Sequence, residues 1–172
     1  ALSAKSPLAP FEIDRRAEYD VTAGVFPNDA MGNPPMYDVK DLSSSYDGKQ
    51  FVFNRHPSSW SRKHYRGSYA ADLWIGDLAQ KSYKPLLGGE RYNRYWPMWG
   101  PKDEIYYVAD PLPNDKAVKP GSPVVRKSVN NIYKIGIAGG APVQVTRHTS
   151  GSLFWPSMSS DGKVIVYEEN FG

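Results

Sequence analysis

The densest chemistry in the sequence lies at positions 55–66, which read Arg-His-Pro-Ser-Ser-Trp-Ser-Arg-Lys-His-Tyr-Arg. Arg55, Arg62, Lys63 and Arg66 bring fixed positive charge with no acid among them, and His56 and His64 add imidazoles. Guanidinium groups make charge-assisted, often bidentate, hydrogen bonds to carboxylate and phosphate. Trp60 and Tyr65 interleave flat faces on which a ligand could stack. A second basic run at 111–128 carries Lys116, Lys119, Arg126 and Lys127 against Asp115 alone, and its prolines make it an extended loop. Residues of this kind recognise an acidic partner. A carboxylate or acidic peptide fits better than nucleic acid, because a net charge of +3 is a weak footprint for a polyanion. The plainer alternative is a solvated loop whose arginine stems and rings pack on neighbouring structure.

Bond-breaking chemistry has less to draw on. A hydrolytic relay needs a serine activated by a histidine that an acid orients. The histidines are His56, His64 and His148, and there is no Gly-x-Ser-x-Gly turn. Ser68 and Ser152 each follow a glycine and read as turn residues. His56 and His64 lack acidic or cysteine neighbours that would complete a metal site. The chain has no cysteine at all, which removes a thiol nucleophile, a disulfide scaffold and a zinc ribbon together. No catalytic residue, cofactor or metal is assigned to this segment. No apolar run of about 18 residues occurs, so membrane insertion is not expected. Ala1 to Pro10 lacks a basic stretch followed by an apolar one, as in a mature or a cytoplasmic chain.

The elements that would position these loops show in the composition. Among 172 residues, 15 Gly, 15 Pro, 12 Tyr and 5 Trp make a turn-rich, aromatic chain that favours strands over helices. Self-comparison then gives a repeat. Trp96-Pro97 recurs as Trp155-Pro156, Leu73-Trp74 as Ile132-Tyr133 and Leu86 as Val145, each 59 positions on. Tyr46 to Lys49 lies over Pro101 to Glu104, and Phe53 over Val108, at an offset of 55. The four-residue difference falls in the second connecting loop. Each copy reads as four short strands with a tight turn after the first, Asp47-Gly48 in one and Asp161-Gly162 in another. Trp74, Trp96, Trp99, Tyr133 and Trp155 recur at strand positions and are expected to pack in cores. A short helix near Glu12 to Glu18 and a strand at Glu18 to Phe26 are the open alternatives in the N-terminal segment.

Four antiparallel strands per repeat describe a β-propeller blade rather than a sandwich, whose strands do not repeat a Trp-Pro position. Ser45-Tyr46-Asp47-Gly48-Lys49 and Ser159-Ser160-Asp161-Gly162-Lys163 resemble the Ser-Pro-Asp-Gly-Lys turn of the PD40 or TolB-type propeller family, without its proline. Gly100-Pro101-Lys102-Asp103 keeps the proline but has Lys and Asp where Asp and Gly are usual. Tyr65-Arg66-Gly67-Ser68, Asp72-Leu73-Trp74, Trp96 to Pro101 and Ile105 to Asp110 are more narrowly similar to the N-terminal propeller of bacterial tricorn-like peptidases of family S41. That similarity covers residues 40 to 172. In such peptidases the catalytic serine and histidine belong to domains far downstream, so nothing catalytic carries over.

The reading that follows is an all-β chain holding about two and a half blades of four-stranded antiparallel sheet, a partial propeller. Residues 1–35 form an N-terminal segment, 36–90 and 91–149 one blade each, and 150–172 the first half of a further blade, so the chain reads as a fragment. The resemblance implies a non-catalytic part of a serine peptidase, a peptide channel or filter and interaction platform. A TolB-like protein-binding module of the cell envelope and a structural scaffold are the alternatives. Expected partners are the rest of the same protein or another chain completing the propeller, a peptide or protein ligand, and a second copy of the chain; nucleic acid is not expected. The resemblance places the protein in the periplasm or outside the cell, with the cytoplasm as the alternative.

Overall fold

The structure, a computed structural model, describes residues 40–55, 65, 70–87, 92–110 and 129–170. The N-terminal segment and most of both basic loops lie outside the described residues. Among the described residues ten strands follow in order: β1 (Lys40–Ser44), β2 (Gln50–Arg55), β3 (Asp72–Asp77), β4 (Ser82–Pro85), β5 (Arg94–Trp99), β6 (Glu104–Ala109), β7 (Asn131–Gly136), β8 (Gly139–Gln144), β9 (Ser152–Met158) and β10 (Ile165–Asn170). They form two four-stranded sheets, β1-β2-β3-β4 and β5-β6-β7-β8, and a pair, β9 with β10. Every pairing is antiparallel and sequential. This is the expected all-β chain of two blades and a half.

The first strands of the blades lie side by side, and they are the inner ones. The Trp99 amide of β5 donates to the Ser43 hydroxyl of β1 at 2.9 Å, and β9 lies against β5 on its other side. Each inner strand bulges at the same place. Asp41, Trp96 and Trp155 take left-handed backbone at φ of 55°, 51° and 45°, and the ladder slips beside each of them. Those residues stand 55 and 59 apart, the offsets of the sequence repeat. The repeat is therefore one of backbone conformation as well as of letters.

One offset needs correction. Ser44 pairs with Phe51 and Trp99 with Ile105, so β6 follows β2 at 54, not 55. The second blade's turn is one residue shorter, closed by Gly100 N–H donating to the Glu104 carbonyl at 2.8 Å. Phe53 thus corresponds to Tyr107 rather than Val108. The distinction is physical, because a slip of one residue sends every side chain of a strand to the opposite face. With the offset of 54 the faces agree. Val52 packs with Trp99, Ile105, Tyr107 and Ala109 in the core between the two blades. Phe51 and Phe53 face away from the second blade, beside Trp74, Leu78 and Tyr83. Val108 turns to the third blade, against Ile132 and Leu153. Gly76 lies so close under the Phe51 ring that a Cβ would come within 2.2 Å of it, which explains a glycine opposite an aromatic in mid-sheet.

Candidate binding rim

The inner strands begin where the second strands end. Lys40 pairs with Asn54 and Arg94 with Ala109, so both basic loops leave from the end of the blades at which the inner strands enter. Their bases are held by buried polar groups. Asn54, fully buried at the end of β2, donates its amide to the Arg94 carbonyl at 2.7 Å and accepts the Trp96 amide at 3.2 Å. One side chain thus ties the first blade to the left-handed bulge of the second. Arg94 Nη1 meets Asp72 Oδ1 at 2.8 Å, and its guanidinium lies 3.9 Å from the centroid of Tyr92. Ala71 N–H donates to Asn93 Oδ1 at 3.1 Å, and Ala71 accepts from the Arg94 amide at 2.8 Å. At the second loop, Val129 N–H donates to Asp110 Oδ2 at 3.1 Å, clamping the two ends of the insertion together.

Of the expected site residues, the structure describes Arg55. Its guanidinium carbon sits 4.4 Å from the Trp74 ring centroid and 5.8 Å from that of Tyr83, a cation–π packing inside its own blade. His56, Arg62, Lys63, His64, Arg66, Arg126 and Lys127 lie outside the described residues, as does Trp60. Of the aromatics expected in cores, Trp99 is buried, while Trp74, Trp96 and Tyr133 are half-buried against neighbouring rings. Trp155 differs at 58% exposed. Trp96 packs on Phe154 and Trp155 of the next inner strand, whereas no further inner strand is described beyond Trp155.

A second polar constellation sits at the same end. His148, in the loop between β8 and β9, places Nδ1 2.8 Å from Glu169 Oε1 and Nε2 3.1 Å from the Tyr167 hydroxyl. Its own amide donates to Asn131 Oδ1 at 2.7 Å and its carbonyl accepts from Asn131 Nδ2. Sequence reading missed this group. Tyr167 and Glu169 are two apart on a strand and so share a face, but only the packing of blade on blade brings His148 to them. At the opposite end, the Lys134 ammonium bonds Glu104 at 2.9 Å and holds its carboxyl below the usual glutamate range. Burial, first of all, pushes the Tyr107 phenol far up.

No family model matches the chain. It is 28% identical to the alpha subunit of 2-oxoacid:ferredoxin oxidoreductase 1 from Sulfurisphaera tokodaii, over 75% of this chain and 22% of that protein. Among solved structures it superposes on TolB from Acinetobacter baumannii with a TM-score of 0.50 at 17% identity, covering 76% of this chain and 26% of TolB. A TolB from Agrobacterium tumefaciens gives 0.51 at 15% identity, covering 74% and 37%. The fold is that of a TolB-like β-propeller. The same propeller architecture underlies a match to a prolyl endopeptidase, with a TM-score of 0.56 at 19% identity over 86% of this chain and 21% of the enzyme. At these identities the likeness is one of fold. The chain spans about a fifth of its curated relatives and a fifth to somewhat over a third of these solved proteins.

Proposed function

We propose that this TolB-like propeller is a non-catalytic module of a larger tricorn-like serine peptidase, acting as a peptide channel or filter and as an interaction platform. The observation that carries the proposal is that both basic loops spring from one end of adjacent blades, the end at which the inner strands enter. Arg55, His56, Arg62, Lys63, His64 and Arg66 from one loop, with Arg126 and Lys127 from the other, then make a cationic rim for carboxylate-bearing peptide. The likeness to a prolyl endopeptidase supports a peptidase setting. The likeness to two TolB proteins supports the second reading, a protein-binding propeller of the cell envelope. On either reading residues 36–90 and 91–149 are blades, 150–172 begins another, and the rest of the same protein or another chain completes the propeller. The periplasm or the cell exterior is the proposed location.

Replacing Arg62, Lys63 and Arg66 together with glutamate is expected to weaken binding of a fluorescent acidic peptide by tenfold or more, with the remaining affinity less dependent on salt. Unchanged affinity overturns the rim. The intact mass of the natural polypeptide separates the two parents, since a peptidase needs a catalytic domain beyond the propeller.

A further inference from the structure

We infer that Asp47-Gly48 and Asp161-Gly162 are latent sites of isoaspartate formation, and that Ser45 and Ser159, two residues ahead of each aspartate, hold them unreactive. Neither parent proposed above is needed for this chemistry. In an aspartyl-glycyl pair the glycine nitrogen, once it gives up its proton, attacks the carboxyl carbon of the aspartate side chain. A C–N bond forms, a C–O bond breaks and water leaves, which closes a five-membered succinimide. Water then reopens the ring. Opening at the main-chain carbonyl leaves the backbone running through the side-chain carboxyl, one methylene longer and unchanged in mass. Glycine favours the closure because it has no side chain to obstruct it and its backbone turns freely. These two Asp-Gly pairs are the only ones in the sequence, and both aspartates are exposed.

Closure needs a glycine nitrogen stripped of its proton, a protonated carboxyl, and the approach of one to the other. A carboxylate does not serve, since it would have to expel oxide. Each turn opposes these requirements. The Gly48 amide donates to the Ser45 carbonyl at 3.0 Å, and the Gly162 amide to that of Ser159 at 2.8 Å. The carboxylates are engaged by the next amide along, from Lys49 N–H to Asp47 Oδ1 and from Lys163 N–H to Asp161 Oδ1, both at 3.1 Å. The shortest bond to each is the serine hydroxyl's, at 2.7 Å to Asp47 and 2.6 Å to Asp161. That hydroxyl is itself pinned, because it accepts the Gln50 amide in one turn and the Val164 amide in the other, each at 3.0 Å. A charge-assisted bond of this kind favours the ionised carboxyl, the form that does not cyclise. The Lys49 and Lys163 ammonium groups reach the same carboxylates at 3.2 Å, but both are exposed and screened by water. The serine is therefore the guard. In the second blade Gly100 occupies the serine's place, its amide closing the turn as those of Ser45 and Ser159 do. Where the Asp-Gly pair is missing, the serine is missing too. Failure of the guard would be felt between blades. Gly162 lies against Pro101, where a single Cβ would come within 2.7 Å of the proline ring, so an inserted methylene has to displace that contact.

The test is the isoaspartate formed when the full 172-residue chain is kept in warm, weakly acidic buffer, measured at each site by peptide mapping with enzymatic methylation of isoaspartyl carboxyls. Wild type should form it at least about tenfold more slowly than the free peptides Ser-Tyr-Asp-Gly-Lys-Gln and Ser-Ser-Asp-Gly-Lys-Val. Ser45→Ala should raise the rate at Asp47 about tenfold and leave Asp161 unchanged, and Ser159→Ala should do the reverse. Ser45→Thr and Ser159→Thr keep the hydroxyl and should keep the wild-type rate. Each variant carries its own control, since the untouched site reports whether the fold has loosened as a whole. A wild-type rate equal to that of the peptides, or alanine variants no faster than wild type, overturns the proposal. So do threonine variants as fast as the alanine ones. A rise at both sites from a single substitution overturns it as well, because general unfolding and not the lost hydroxyl would then be the cause.

Discussion

Lys102 and Asp103 hold the shortened turn of the second blade in left-handed backbone, at φ of 58° and 54°. In the first and third blades glycine takes the positive φ of the turn, at Gly48 and Gly162. For a residue with a Cβ that conformation costs roughly 1–2 kcal/mol, and Asn-Gly is the pair that adopts it most readily. Lys102 and Asp103 are exposed, so their side chains contribute little packing to set against this. Lys102→Asn with Asp103→Gly is expected to stabilise the chain by about 1 kcal/mol, seen as a higher denaturant midpoint at an unchanged slope. A lower midpoint would mean that the wild-type turn is not strained. Asn54 shows the opposite kind of residue. It stands in the otherwise apolar Phe51-Val52-Phe53 run, and its polarity is plain in the sequence. Its role is not, because its partners Arg94 and Trp96 lie 40 and 42 positions away and meet it only when one blade packs on the next.

At the scale of the element, the first and third turns are built alike and the second differently. Asp47 Oδ1 accepts from the Ser45 hydroxyl at 2.7 Å and from the Lys49 amide at 3.1 Å, and Ser45 accepts from the Gln50 amide. Asp161, Ser159, Lys163 and Val164 repeat the pattern bond for bond. These hydrogen bonds, the serine's first, hold both carboxyls below the ordinary aspartate value of 3.8. A carboxyl lowered by folding contributes stability that is complete above its unfolded value and is lost as pH falls through the lower folded one. Acid titration from pH 3.8 downward should therefore loosen the Lys49 and Lys163 amides. The Gly100 amide, bonded to the Glu104 carbonyl, should not follow. Parallel loss at all three would show general acid unfolding instead. The recurrence of Asp-Gly-Lys and of Trp-Pro was legible in the sequence, and with it the four-strand repeat. The slip from 55 to 54 was not, since apolar residues on both faces of β2 and β6 let either alignment look sound. Only the pairing of Trp99 with Ile105 decides it.

Across the whole molecule, the blades are joined unequally. Val52, Leu73, Ile75, Leu86 and Leu87 from the first blade share one core with Trp99, Ile105, Tyr107, Ala109 and Ile135 from the second. The buried Arg94–Asp72 pair bridges the same junction. The third blade's strands hold on by the small buried cluster of Val108, Ile132 and Leu153, by the half-buried rings of Trp96 and Tyr106 with Ile165 beside them, and by the polar clasp at His148. Among the described residues few buried apolar side chains hold β9 and β10, so these strands open at lower free energy than the joined blades. His148 then bears a disproportionate share of their attachment. Its ring reaches Glu169 and Tyr167 on β10, while its backbone is fixed to Asn131 of the second blade. Losing the ring leaves a half-buried carboxylate and a phenol short of a partner, at about 1–3 kcal/mol. Since each 1.4 kcal/mol is about a factor of ten, His148→Ala should speed amide exchange in β9 and β10 by about tenfold or more. Exchange in β2 and β6 should hold at its wild-type rate, because the core they share with the first junction is untouched. Acceleration of equal size in all four strands would contradict this order of opening and make the two and a half blades a single cooperative unit.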